Sequence, residues 1–233
     1  MTREVAYNRQ TIDTANPIAR YAHRRRYKLS IDRAAAEVPD AGTVLDYGCG
    51  DGAFLNALAD ARPDLSLLGY DPESGHVPER YTPVDDVAAV PAASVDMLCI
   101  FETLEHLYDD EIADFAAEAA RVLAPGGQIL ASVPIIGGPP LLLKELNRVV
   151  MFRRGTDYSS RELVAASLVG RPAARPADIR VTHKGFDHRT VFGRLGPGFA
   201  VADTACSPFP GLPWWLNSQV FAVIRPVPAA APV

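Results

Sequence analysis

The sequence predicts an α/β protein built on a doubly wound sheet of seven strands, mostly parallel, with an antiparallel C-terminal strand. Three observations predict it. Short apolar runs alternate with segments of helical spacing from residue 43 to residue 134. The strand runs are apolar at nearly every position, as strands covered on both faces are. Two late strand-type segments flank a turn-rich stretch and suit an antiparallel closure.

The elements follow in order. An Arg-rich helix is expected near Pro17 to Glu37, punctuated by Gly42. T-V-L-D-Y (43–47) is a first strand, and A-F-L-N-A-L-A-D-A (53–61) has apolar residues at helical spacing. L-S-L-L-G-Y (65–70) is a second strand, ending at Asp71-Pro72. Residues 80–84 make a weak third strand, and S-V-D-M-L-C-I-F (94–101) a fourth. D-E-I-A-D-F-A-A-E-A-A-R-V-L (110–123) is the clearest amphipathic helix, and P-G-G (125–127) is expected to stop it. Q-I-L-A-S-V-P (128–134) is a fifth strand. After a G-G-P-P linker (137–140), helices are expected at 141–155 and 161–170. A Pro/Ala/Arg-rich stretch leads to H-K-G-F-D-H-R (183–189). F-A-V-A-D-T-A-C (199–206) and S-Q-V-F-A-V-I-R (218–225) are the last strands. Strand–helix–strand repetition implies right-handed crossovers, and such sheets bind ligands at the carboxyl ends of their strands.

The 233 residues suffice for one domain with its own core. A formal net charge of -5 argues against a nucleic-acid partner held by a global positive field. Cys49, Cys99 and Cys206 are too few and too irregularly spaced for a disulfide framework or a zinc site, which favours a reducing, cytoplasmic setting. The N-terminus lacks the apolar region of a signal peptide. No apolar run is long enough to span a membrane, and the Pro/Ala tail is expected to fray.

The most informative stretch is V-L-D-Y-G-C-G-D-G (44–52). Gly48, Gly50 and Gly52 allow a tight turn with close backbone approach to a ligand. Asp46 precedes the turn, and Asp71 ends the next strand about 20 residues on, where an acid can bind both ribose hydroxyls. A dinucleotide site would want Gly-x-Gly-x-x-Gly, but residue 53 is Ala. Asp46 and Asp51 repel phosphate and suit a ligand that carries an amino group and a sulfonium.

These residues, with G-Y-D-P (69–72), V-D-M-L-C-I-F-E-T-L-E-H-L (95–107) and R-V-L-A-P-G-G-Q-I-L-A-S-V-P (121–134), resemble the class I S-adenosylmethionine-dependent methyltransferases of the type 11/12 kind. The resemblance runs from about Thr43 to Pro134 and implies a Rossmann-like fold with S-adenosyl-L-methionine as cofactor. It implies that Asp46, Gly48, Cys49 and Gly50 hold the methionine end. Asp71 takes the ribose, while Pro72, Asp86 and Val87 lie by the adenine and Phe101 near the reactive methyl. Residues 1–42 are then an N-terminal helical lid and 43–233 the methyltransferase domain, with an acceptor-side insertion at about 137–198.

Methyl transfer needs a base only where the acceptor must lose a proton. His106 follows the fourth strand at the ligand edge and is the first candidate. His183 and His188 flank Gly185-Phe186-Asp187 beyond the fifth strand. Either faces the acceptor with Asp187 orienting an imidazole, or Asp187 caps the helix that begins at residue 188. Glu102, Glu105 and His106 resemble the E-x-x-E-H string linked to a divalent ion in ubiquinone-type O-methyltransferases. That string is widespread without metal, and no metal ligand is assigned. R-Y-A-H-R-R-R-Y (20–27) closes over the cofactor or is a solvated face. Leu142, Leu146 and Val149 share one face of the helix at 141–155, which covers the acceptor pocket or touches a membrane surface or lipid-linked acceptor.

The expected reaction is O-methylation of a small acceptor: a sugar, a quinone or polyketide-like compound, or a lipid-linked molecule. The string I-F-E-T after the fourth strand lacks the N/D-P-P-Y/F signature of nitrogen methylation. The alternatives are a non-catalytic S-adenosylmethionine-binding sensor or partner subunit, and a NAD-binding oxidoreductase.

Overall fold

The computed structural model describes residues 17–72, 80–152 and 155–228. The frayed-tail expectation beyond residue 228 and the first 16 residues of the expected lid lie outside them.

Seven strands form one sheet: β1 (Thr43–Tyr47), β2 (Ser66–Tyr70), β3 (Thr82–Val84), β4 (Val95–Phe101), β5 (Leu123–Pro134), β6 (Phe199–Ser207) and β7 (Gln219–Pro226). Their order is β3-β2-β1-β4-β5-β7-β6. β1 to β5 pair in parallel, and β7 runs antiparallel to both β5 and β6. The helices are α1 (Pro17–Glu37), α2 (Ala53–Ala61), α3 (Asp109–Val122), α4 (Pro139–Phe152), α5 (Ser160–Val164) and α6 (His188–Val191).

Successive strand residues enter opposite cores because side chains alternate across a strand. Leu45, Leu98, Ile100, Ile129 and Ala131 join Ile112 and Phe115 of α3 in one core. Val44, Met97, Cys99 and Leu130 join Ala34 of α1 and Phe54, Leu55 and Leu58 of α2 in the other. Both faces are buried, which explains the continuous apolar runs.

Three expectations are corrected. Helix α3 stops at Val122 without help from Pro125-Gly126-Gly127. Leu123 already pairs with Val95 in β5, and the Pro-Gly-Gly stretch falls where the register shifts between Val95 and Met97. The expected helix at 161–170 is one α turn followed by a π-helical turn, Ala165–Val169. Helix α4 starts at Pro139 and turns Leu141 and Glu145 inward, both 4% exposed. Of the stripe Leu142, Leu146 and Val149, expected to cover a pocket or touch a membrane surface, Leu142 is half-buried while Leu146 and Val149 are exposed, as is Leu143, so most of it looks outward.

The chain winds outward from β1 through β2 to β3 and then crosses back to β4 on the other side of β1, which makes the switch point between β1 and β4. Asp46, at the last turn of β1, sits in register with Gly69 and Cys99. Everything carried by the carboxyl ends of β1, β2, β4 and β5 opens on that edge.

Candidate active site

The turn after β1 is clamped to the end of β2. The N–H groups of Gly48 and Cys49 donate to the Tyr70 carbonyl, at 2.7 and 3.1 Å. The Gly50 N–H donates to the Asp71 carboxylate at 2.9 Å. Gly48 has φ +85, and a Cβ there would sit 2.5 Å from the Thr103 Oγ1, so only glycine serves. Three N–H groups of this turn are thus used within the protein. They are not free to cradle a pyrophosphate, which removes the main support for a dinucleotide site.

What the turn leaves unmatched is a buried acid. Asp46 is 3% exposed, and its Oδ1 has no hydrogen-bond partner. Burial, with the neighbouring Asp71 carboxylate, pushes its carboxyl up to about 8. Burial and the same two acids push the Cys49 thiol up to about 12, which leaves it a poor nucleophile. Asp86 caps the turn Val87–Ala89 by accepting the Ala88 N–H at 2.9 Å, and Val87 is buried beneath it. Pro72 is exposed. Phe101 lies edge-on to Phe54, ring centroids 4.8 Å apart, and 6.4 Å from Phe221.

Helix α1 reaches this edge. The Tyr27 hydroxyl donates to the Ala53 carbonyl at 2.6 Å, and Arg26 pairs with Glu102 at 3.3 Å. Arg24 and Arg25 are exposed, the solvated-face alternative for that part of the basic run.

The second half of the site stands at the end of β4. Glu102 takes φ +52, a left-handed conformation that a non-glycine residue adopts at a cost. It is held there by its N–H to the Ser132 carbonyl and its carboxylate to the Ser132 hydroxyl, both 3.0 Å. The 3-10 turn Leu104–His106 follows. Glu105 is fully buried, and neither carboxylate oxygen has a hydrogen-bond partner. An unpartnered buried group of this kind costs about 1–3 kcal/mol or more. Burial, then the Glu102 charge, holds its carboxyl well above the ordinary range.

His106 and His183 meet with Nε2 atoms 3.0 Å apart. Burial lowers both; His183, beside Lys144, His106 and Arg175, falls to about 3. Both imidazoles are therefore neutral near pH 7. A cavity of about 200 Å³ opens beside them, lined among others by Leu141, Lys144, Tyr158 and Thr182. Its charged walls are partly paired, Arg148 with Asp157 at 2.8 Å and Lys184 with Glu162 at 3.0 Å.

His188 is not brought to this pair; it packs on Trp214, ring centroids 5.3 Å apart. Asp187 caps α6 by accepting the Arg189 N–H at 3.0 Å and pairs with the Arg189 guanidinium at 2.8 Å, so it orients no imidazole. Arg175 was not foreseen. Its guanidinium donates to the carbonyls of Glu105 and Lys184 and lies over Phe186, fixing the His183 segment against the turn. An arginine within a Pro/Ala/Arg-rich stretch carries no periodic signal that could single it out.

This switch-point fold, with an acid-lined glycine turn, is that of a class I methyltransferase. Residues 19–156 match the methyltransferase domain family, and the chain belongs to the class I S-adenosylmethionine-dependent methyltransferases. A probable S-adenosylmethionine-dependent methyltransferase of Mycolicibacterium smegmatis is 37% identical over 156 residues, 62% of this chain. The chain spans 54% of that relative's length. A ubiquinone biosynthesis O-methyltransferase of Xylella fastidiosa is 28% identical over 180 residues, covering 71% of this chain and 69% of the relative. The crystal structure of a Pyrococcus horikoshii protein shares the fold, with a TM-score of 0.60 at 17% identity over 95% of this chain and 97% of that one.

The residues present suit S-adenosylmethionine. A buried carboxylate with an orphaned oxygen awaits a cation, and the turn directs its own N–H groups away from phosphate. The unliganded protein has a cost to show for this. The unfolded chain releases the Asp46 proton near pH 3.8, whereas the folded chain holds it to about pH 8. Between those values the folded state binds more protons, so stability falls as pH rises. We expect the unfolding free energy of the unliganded protein to drop between pH 5 and pH 8. Asp46→Asn removes that slope and is more stable at pH 8 by an amount on the order of a few kcal/mol. Urea unfolding of both proteins at the two pH values checks this; equal slopes would contradict it.

Proposed function

We propose that this protein transfers the methyl group of S-adenosylmethionine to an oxygen atom of a small-molecule acceptor. The observation that carries this reading is the neutral His106–His183 pair, backed by buried Glu105, at the mouth of a cavity on the carboxyl edge of the sheet. A hydroxyl must lose a proton to become a good nucleophile, and this trio is the group that can activate it. The O-methyltransferase name of the Xylella fastidiosa relative agrees with this choice. An acidic chain and the buried acids of the turn do not favour a nucleic acid as acceptor.

The bound cofactor supplies a methyl carbon already activated by its sulfonium. The protein's part is then alignment and exclusion of water. Asp46 ionises against the amino group of the methionine end, which Gly48, Cys49 and Gly50 pass closely. Asp71 takes the ribose hydroxyls; Pro72, Asp86 and Val87 border the adenine. Phe101, fixed by Phe54, gives the methyl a dry wall. Helix α1, tied down through Arg26 and Tyr27, is the lid over the cofactor. Residues 137–198 build the acceptor side.

Sugar, quinone or polyketide-like hydroxyls all suit the site. One observation favours a lipid-linked acceptor: Leu143, Leu146 and Val149 are exposed on α4, the helix whose inner face lines the cavity.

Two measurements test these readings. Isotopically labelled methyl donor, offered with matched hydroxyl and amine acceptors, should label oxygen by mass spectrometry. His183→Ala should lower kcat by about 10²–10⁴-fold with S-adenosylhomocysteine affinity retained. Transfer to nitrogen alone, or an unchanged kcat, contradicts the assignment. For the lipid-linked acceptor, the chain should sediment with phosphatidylglycerol vesicles, and Leu143→Glu with Leu146→Glu should release it. Wild-type protein left in the supernatant removes that acceptor class.

A further inference from the structure

Two features of the acceptor side are not explained by a proton-transfer site alone. Glu105 is completely buried and offers two carboxylate oxygens to no donor. The nearby guanidinium of Arg175 passes it over and bonds its main-chain carbonyl instead. Two neutral imidazoles also point Nε2 at Nε2 across 3.0 Å, with Glu105 Oε1 3.9 Å from the His183 Nε2. One shared proton can join the two imidazoles, and it leaves the carboxylate as it was.

We propose that Glu105, His106 and His183 form a binding site for a divalent cation of the zinc class. Two imidazole nitrogens and one carboxylate oxygen are a donor set that suits such an ion. Their ligand atoms already lie within 4.8 Å of one another. In a tetrahedral site with bonds of about 2.1 Å, neighbouring donors stand roughly 3.4 Å apart. The imidazole pair is close to that spacing, and the carboxylate reaches it by a side-chain adjustment. The second ring nitrogen, His106 Nδ1, is buried and makes no hydrogen bond.

The set differs from the one the E-x-x-E-H string suggests. The Glu102 carboxylate is engaged by Ser132 and Arg26 on the cofactor side. The third ligand is His183, 77 residues beyond His106. Three protein ligands leave a position open, and His106 and His183 both line the cavity. An ion held there would lower the pKa of a hydroxyl placed at the open position, so that its proton could leave to solvent. This inference rests on the O-methylation reading and names the means by which the trio activates oxygen.

The test is direct titration of chelator-stripped protein with Zn²⁺ by calorimetry, and with Co²⁺ by visible absorption. One ion per chain should bind at micromolar concentration or below, with Co²⁺ bands of a low-coordinate nitrogen–oxygen site. His183→Ala and Glu105→Gln should each weaken binding by roughly 100-fold or more, with S-adenosylhomocysteine binding as the check on folding. If Glu105→Gln does not fold, His183→Ala on its irregular segment carries the test. No ion bound by folded wild type, or equal affinity in His183→Ala, overturns the proposal. Oxygen methylation undiminished in excess chelator also overturns it, while leaving the O-methylation reading intact. An ion bound by these residues with no transfer to any oxygen acceptor keeps the site and removes that reading.

Discussion

The clamp between the glycine turn and the end of β2 is the constraint on which the site depends. Donation from Gly48, Cys49 and Gly50 to Tyr70 and Asp71 fixes the turn. It also consumes the N–H groups that would otherwise have made an anion cradle. What remains beside the turn is a buried acid with an unmatched oxygen. Asp46 is walled in by its own strand, by the in-register residues Gly69 and Cys99, and by the Asp71 charge. The turn's own hydrogen bonds run back to the end of β2 and Asp71, so its geometry suits a cation better than a phosphate.

A second unmatched acid stands at the end of β4. Asp46 lies near the end of β1 and Glu105 in the 3-10 turn that follows β4, each buried, each with an oxygen that lacks a donor. Groups of this kind lower stability, and they collect where a ligand restores the balance. Between them lies Glu102 in a left-handed conformation, linked to α1 through Arg26 and to β5 through Ser132. Helix α1, the end of β4 and β5 are therefore joined through one strained residue.

Much of the fold was legible in the sequence because its signals are local. The near-continuous apolar runs 95–101 and 128–134 reveal strands buried on both faces, and the Gly48–Gly52 spacing reveals the turn. The errors came where tertiary context overrode local chemistry. Pro125-Gly126-Gly127 reads as a helix stop, yet pairing of Leu123 with Val95 ends the helix first. On α4 the spacing of Leu142, Leu146 and Val149 suggests an inward face, but Leu141 and Glu145 take the buried side and leave Leu146 and Val149 exposed. The cofactor turn sits within one stretch of chain and could be read. The acceptor side could not: His106 and His183 come from segments whose approach is set by Arg175, in a stretch with no periodicity. Nothing in H-K-G-F-D-H-R separates His183, which reaches the site, from His188, which packs on Trp214.

The central claim is that this turn holds a sulfonium cofactor through its acids rather than a dinucleotide through its backbone. Calorimetric titration of the purified chain with S-adenosylmethionine, S-adenosylhomocysteine and NADH, repeated on Asp71→Ala, tests it most directly. Micromolar binding of both sulfur ligands, no binding of NADH, and loss of the sulfur ligands in the variant are expected. Well-folded protein that binds neither sulfur ligand, or that binds NADH in their place, would contradict it.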